Sequence, residues 1–295
     1  MKTIIFAKSI KKNLLHPFKI LINRYNHRLA KNHLKKYPQV AIFSFDHIGL
    51  TINLEGRYEN LDLSLIRDYL ESVIPNPHNT SALDIGANIG NHSIYFSEIF
   101  ENIFAFEPNP RTFALLKANS EYASLKRNIR CFNFGLSDQN GRLFFKSSRF
   151  NVGASHIVSE TEKNVDDSIF MVDVKCADEI EELSEKKISL IKIDIEGHEL
   201  AALKGAKELI KNNKPIILFE QHADDFLNGT SDVLDYLKQF NYKFLTIERN
   251  FYFGNSFLFK LFGIILRSVL GYKLMLTEKN YFQKRYYPMI VAVPN

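Results

Sequence analysis

Residues 81–90 read Ser-Ala-Leu-Asp-Ile-Gly-Ala-Asn-Ile-Gly, and Asn91 opens a run with helical spacing. Ser81–Ile85 is a short apolar strand, Gly86 and Gly90 hold the turn after it, and a helix follows over about Asn91–Ile99. Glycines there let the backbone turn tightly and come close to a ligand. In an open α/β sheet the ligand crevice lies at the carboxyl ends of the strands, where this turn sits. The spacing is not that of a dinucleotide fingerprint: Asn88 stands where a second glycine would admit a pyrophosphate. Asp84, just ahead of the turn, suits an ammonium or hydroxyl group better than a phosphate. Taken alone, the stretch also reads as an ordinary strand–helix turn.

The flanking sequence favours a ligand. About 20 residues on, the strand Ile103–Phe106 ends at Glu107-Pro108, and a carboxylate at that point accepts hydrogen bonds from both hydroxyls of a ribose. The third strand, Ile129–Phe134, leads to Leu136, Ser137 and Asp138 on the same rim. Asp138 is placed to accept from an adenine amino group, although Asp138-Gln139-Asn140-Gly141 is equally a good turn. The buried strand Leu190–Ile193 runs into Asp194-Ile195-Glu196-Gly197-His198-Glu199. Three carboxylates and a histidine crowd one short turn. Like charges this close repel and raise a pKa towards that of a working base. A helix cap accounts for one of the acids, not all. Glu220-Gln221-His222 ends the next strand on the same rim. Such a group suits removing a proton from a hydroxyl, or holding a divalent cation through oxygen ligands.

The remaining periodicities place strands at 40–45, 51–54, 215–220, 242–247 and 289–293. Helices fall at 61–73, 113–119, 199–211 and 232–240. Strands alternating with helices predict an α/β fold, a mainly parallel, doubly wound sheet covered on both faces. With 295 residues, 45% of them apolar and 24% charged, the chain has enough material for a large core and is not a disordered protein. Cys131 and Cys176 give no disulfide framework, which points to a reducing compartment such as the cytoplasm. No close Cys/His cluster suggests zinc.

Charge is uneven. The chain carries +5 overall, yet residues 1–45 hold ten basic residues, from Lys2 to Lys36, and no acid. With those ten removed from 38, the balance is 28 basic residues against 33 acidic ones. This arm has apolar residues, among them Ile10, Leu14, Phe18, Leu21 and Ile22, at amphipathic-helix spacing. An anionic membrane surface and a plain solvated helix are both compatible with it. Nucleic acid is disfavoured, because no basic patch interleaved with aromatics follows. Lys8, Lys11 and Lys12 break the apolar stretches a signal peptide would need. A second apolar stretch, 250–285, lies between the last two strands. Lys260, Arg267 and Lys273 interrupt it, so a lid, a dimer-forming helix or an in-plane membrane helix fits better than a membrane span. The expected organisation is a basic helical arm (1–45), a catalytic domain (46–249), an apolar insertion (250–285) and a final strand (286–295).

Specific stretches then point to a family. Gly56-Arg57-Tyr58-Glu59, the Asp84–Gly90 turn, Phe106-Glu107-Pro108-Asn109, Gly135-Leu136-Ser137-Asp138, Gly153-Ala154-Ser155, Asp178 and above all Ile191–Glu199 with Leu203-Lys204-Gly205-Ala206 resemble FkbM-type methyltransferases, which use S-adenosylmethionine (SAM). The resemblance covers about Gly56 to Val293. It implies a Rossmann-like seven-stranded sheet of order 3-2-1-4-5-7-6 with the last strand antiparallel, and transfer of a methyl group to an oxygen, mostly a sugar hydroxyl in a glycan or glycolipid. It implies a cofactor site of Asp84, Gly86, Ala87, Asn88, Gly90, Asn91, Glu107, Pro108, Leu136, Ser137, Asp138 and Asp194. Asp194, Glu196, His198 and Glu220 are the expected catalytic group. Tyr58, Glu59, Ser155, Glu199 and His222 are expected on the acceptor side. Two features depart from the pattern: Cys176-Ala177 replaces a Thr-Leu pair, and 250–285 is longer and more apolar than its connection requires. The competing readings are an NAD(P)-dependent oxidoreductase, against which Asn88 and the acidic turn argue, and a non-catalytic glycan- or membrane-binding module that retains the pocket.

Overall fold

The computed structural model describes residues 15–148, 153, 155–158, 168–250 and 273–295. A basic helix α1 (His16–His33) leads to α2 (His47–Glu55) and α3 (Asn60–Val73). The alternation foreseen from the sequence follows: β1 (Ser81–Ile85), α4 (Asn91–Ser97), β2 (Asn102–Phe106), α5 (Pro110–Tyr122) and β3 (Ile129–Phe132). Four strands then form a small sheet of their own, β4 (Gly135–Leu136), β5 (Gly141–Lys146), β6 (His156–Val158) and β7 (Ile169–Lys175), in the order β4-β7-β5-β6. The main sheet resumes with β8 (Ile188–Ile193), α6 (Glu199–Lys204), α7 (Lys207–Asn213), β9 (Ile216–Gln221), α8 (Asp232–Lys238), β10 (Tyr242–Asn250), β11 (Lys273–Glu278) and β12 (Tyr287–Pro294).

Eight strands, not seven, make the main sheet, in the order β11-β10-β12-β9-β8-β1-β2-β3. Seven of them reproduce the order implied by the resemblance, with β12 antiparallel to both β9 and β10. The eighth, β11, pairs antiparallel with β10 and comes from the stretch expected to be a helical insertion. Its run Lys-Leu-Met-Leu-Thr-Glu lacks a polar–apolar alternation, so periodicity could not tell strand from helix. Leu276 packs with Ile247 beside the core, and β11 covers what would otherwise be the exposed edge of β10. Residues 251–272 of the insertion lie outside the described residues.

The central strands are buried on both faces, so their side chains alternate between two cores rather than between core and water. Leu83, Ile85, Ile191, Ile193, Ile217 and Phe219 face one core, under α6–α8. Ala82, Leu190, Leu218 and Val291 face the other with Leu63, Ile66 and Phe96 from α3 and α4. Each fully buried large side chain contributes roughly 1.5–3 kcal/mol.

Three local expectations fail for identifiable reasons. Residues 40–45 form no strand; Ala41 is held instead by the Asn119 side chain, through its N–H (2.6 Å) and its carbonyl (3.0 Å). Residues 51–54 lie inside α2, which Asp46 caps by accepting from Ile48 N (3.0 Å) and Gly56 ends at φ +86°. The helix foreseen over 199–211 is two helices. Gly205 presses on the carbonyl of Ser137, where a Cβ would lie 1.9 Å away, and the Asp178 carboxylate starts α7 by accepting from Glu208 N and Leu209 N (2.8 and 2.9 Å). Both cysteines are free thiols. Among the described residues, no helix is long and apolar enough to cross a membrane.

Candidate active site

A cavity of about 290 Å³ opens over the carboxyl ends of β1, β2, β8 and β9, between those turns and the α2–α3 segment. Its floor is the turn after β1. Gly86 has φ +73°, and a Cβ there would lie 1.9 Å from the carbonyl oxygen of Asp194, so the turns after β1 and β8 touch at this point. The N–H groups of Gly86 and Ala87 donate to the carbonyl of Phe106, both at 3.0 Å. Asn88 continues the turn at φ +50°.

Beneath this floor is an ion pair that the sequence reading overlooked. Asp84 is fully buried and does not reach the cavity; it lies 3.3 Å from Lys192 Nζ and accepts from Ser93 Oγ (2.5 Å). Lys192 Nζ also donates to the Gly86 carbonyl (3.0 Å) and lies 3.5 Å from Asp194. Burial disfavours the Lys192 ammonium, but Asp84 and Asp194 outweigh that penalty and hold its pKa above the ordinary value. A lysine inside a buried strand was the available signal, since lysine is almost never buried unless paired.

One end of the cavity is built around Glu107. Its Oε2 accepts from Asn88 N (3.0 Å) and its Oε1 from Asn109 N (2.8 Å). Burial pushes the carboxyl up to about 7, against the pull of those two bonds. Pro108 and Leu136 line the same end. Asn109, also missed, caps α5 by accepting from Arg111 N, and Asn-Pro at a helix start was a legible cue. Asn88 Oδ1 and Thr112 Oγ1 are buried at this wall without a hydrogen-bond partner.

The other end gathers carboxylates. Asp194, Glu196 and Glu220 line it together with Tyr58 and Tyr286, whereas His198 lines the cavity beside Ser137. Glu196 (φ +53°) and Gly197 (φ +95°) make the turn that turns these side chains inward. Burial, then the charges of Asp194 and Glu196, push Glu220 up to about 8, and a hydrogen bond from Tyr286 only partly offsets them. His222 stands at the exposed mouth, with Nε2 2.8 Å from Glu196 and 3.4 Å from Glu220. One ligand atom from each of Glu196, Glu220 and His222 falls within 4.8 Å of the others, a spacing a metal ion would accept. Tyr286 comes from the segment before β12, and nothing local in the sequence marked it.

The other residues singled out from the sequence have defined places. Ala87 and Ser155 line the cavity, and the Ser155 hydroxyl accepts from Ser148 N (3.1 Å). Asn91 also lines it, but its side chain clamps the Tyr58 backbone, accepting from the N–H (3.3 Å) and donating to the carbonyl (3.1 Å). Several do not line it. Gly90 turns α4 against Leu116, where a Cβ would lie 2.9 Å away. Ser137 is buried, with its hydroxyl 2.9 Å from His198 Nε2, and Asp138 is exposed beside it. Burial lowers the His198 pKa. Glu199 is buried and accepts from Gly197 N (3.0 Å), fixing its own turn. Glu59 bonds His92 at 3.0 Å behind the carboxylate end.

Comparison with known proteins fits this geometry. The profile of the Methyltransferase FkbM domain matches residues 84–244, which include Glu107, Asp194, Glu196 and Glu220 but not Tyr58 or Tyr286. Hexuronic acid methyltransferase AglP of Haloferax volcanii is 36% identical over 189 residues, covering 63% of this chain and 75% of that protein. Methyltransferase sdnD of Sordaria araneosa is 28% identical over 173 residues, 49% of this chain and 67% of its own. Methyltransferase 1 of Beauveria bassiana is 27% identical over 157 residues, 47% of this chain and 63% of its own.

Proposed function

The chain belongs to the FkbM methyltransferase family, and on that premise we propose that it methylates a sugar hydroxyl, with SAM as the methyl donor. The observation that carries this reading is one cavity with two unlike ends: a carboxylate fixed by backbone N–H groups, and a cluster of carboxylates that resist ionising together. The residues present fit the cofactor. Glu107 would accept the two ribose hydroxyls, and the partnerless Asn88 Oδ1 and Thr112 Oγ1 leave hydrogen-bonding capacity on the same wall. Gly86 keeps the floor open where any side chain would strike Asp194. Asp194, at the junction of the two ends, offers negative charge to a cationic ligand.

SAM supplies an already activated methyl on a sulfonium, so the protein's task is to align the acceptor oxygen and accept its proton. Alignment supplies roughly 7–11 kcal/mol of such a barrier, and a positioned base typically adds about 10²–10⁴-fold. Glu196 is the base favoured here. His222 lies 2.8 Å from it at the mouth and gives the proton a way out to water. Beside it, burial and the charges of Asp194 and Glu196 push the Glu220 carboxyl up to about 8. AglP is named for a hexuronic acid, which supports a sugar as the acceptor class.

Calorimetric titration with S-adenosylhomocysteine tests the cofactor. Micromolar binding that Glu107→Ala weakens sharply is the expected result. No binding, with NADH taken up instead, would overturn the reading in favour of an oxidoreductase.

A further inference from the structure

The helix α1 offers a surface with no counterpart elsewhere in the described chain. It has 18 residues, and none is buried. Phe18, Leu21, Ile22, Tyr25 and Leu29 recur at i, i+3, i+4, i+7 and i+11, which places them in one stripe. Four of them are strongly exposed, Phe18 at 63% and Leu21, Ile22 and Tyr25 at 60% each. At about 100° per residue, Lys19 falls on one flank of that stripe and Arg24, Arg28 and Lys31 on the other. No acid occurs anywhere in residues 1–45.

We propose that α1 lies in the plane of an anionic phospholipid surface, its apolar stripe in the acyl boundary and its basic flanks at the headgroups. The charge pattern selects this occupant. A second copy of the chain would bring the flanking Lys19, Arg24, Arg28 and Lys31 of α1 against the same four residues. Nucleic acid would meet the basic flanks but leave the stripe in water. A bilayer satisfies both halves at once, and a helix too polar to span it is of the kind that lies in its interface. Attachment to the rest of the protein is specific. His33 Nε2 is 2.9 Å from the Leu54 carbonyl at the end of α2. The Tyr37 ring fills the space over Gly56, where a Cβ would lie 2.2 Å from it. The other end of α2, His47 and Ile48, lines the cavity, as does Tyr58 just past Gly56. The lipid-facing helix and the cavity mouth are thus joined through two short elements.

The test is co-sedimentation of the full chain with vesicles of phosphatidylcholine alone and with about one third phosphatidylglycerol added, at low and high salt. The expected result is binding to the anionic vesicles at low salt, at least about tenfold stronger than to the neutral ones, and falling as salt rises. Leu21→Glu with Ile22→Glu should lower it by about tenfold or more at every salt concentration. Arg24→Glu with Arg28→Glu should lower it mainly at low salt. Both variants should keep the wild-type melting temperature, since none of the four side chains is buried. The proposal falls if the wild type stays in the supernatant with anionic vesicles at low salt, or if either variant binds as the wild type does. It also falls if the stripe variant changes only the oligomeric state in light scattering, which would assign the stripe to a second copy.

Discussion

The two ends of the cavity use carboxylates in opposite ways. Glu107 is buried and sees no neighbouring acid at bonding distance; two backbone N–H groups fix both of its oxygens. Glu220 is less enclosed but shares its corner with Asp194 and Glu196, and it is pushed further, up to about 8. Backbone donors do not titrate and cannot move away, so the Glu107 end is a rigid anchor. The Glu220 end holds fewer protons than it has sites, and so it can take one up or release one near neutral pH. What surrounds each carboxylate therefore distinguishes the end proposed for binding from the end proposed for proton transfer, although the residue types are the same.

The sharpest way to break that contrast is Glu196→Gln. It should cut turnover by about 10²–10⁴-fold while leaving S-adenosylhomocysteine affinity unchanged. Full turnover in a variant that still binds would remove Glu196 from the role of base. Lys192→Met comes next, because Lys192 bridges the floor beneath both ends. It leaves Asp84 buried without its cation, and loss of one partner of a buried pair costs about 3–5 kcal/mol. A denaturant midpoint close to the wild type's would show that the pair does not hold the two turns together. Metal removal separates the two uses of the carboxylate corner: a proton-handling corner works unchanged in EDTA, whereas loss of turnover restored by a divalent cation would give Glu196, Glu220 and His222 to that ion.

Much of this arrangement was legible in the chain. The Asp84–Gly90 stretch, Glu107 and the Asp194–Glu199 turn each sit at a strand end, and the alternation of strands and helices says that those ends share a rim. What the sequence hides is direction. Asp84 and Glu107 both end strands, yet Asp84 points down to Lys192 and Glu107 lines the cavity; a period-2 strand pattern with both faces apolar gives no cue to which face is which. Asn91, read from the sequence as a cofactor contact, lines the cavity, and no sequence signal marks that its side chain also clamps the Tyr58 backbone. Tyr286 and β11 are long-range features, set by what the main sheet leaves uncovered rather than by any local signal. At the N-terminus, apolar residues at 51–54 suit a strand as well as a helix, and only the Asp46 cap and the Gly56 stop decide for the helix.

The smallest expected effect concerns Tyr286, whose hydroxyl bond to Glu220 draws that carboxyl down against burial and repulsion. Removing one such bond, worth about 1 kcal/mol, should raise the apparent pKa of the cluster by roughly 0.7 unit. The acid limb of the pH–rate profile of Tyr286→Phe should therefore move to higher pH by about that amount, with little change at the plateau. The stability profile has the matching sign. In the folded protein Glu107 and Glu220 keep their protons up to about 7 and about 8, whereas the unfolded chain releases them near 4.5. Between those values the folded state binds more protons, so their contribution to stability falls as pH rises through the window. Replacing Glu107 by Gln should flatten that slope only up to about pH 7, and replacing Glu220 by Gln should flatten it across the whole window up to about pH 8, both read from melting temperatures taken between roughly pH 5 and 8. A melting temperature that rises across the window and is indifferent to both substitutions would mean that the two carboxyls ionise freely, and the contrast between the ends would have to rest on geometry alone.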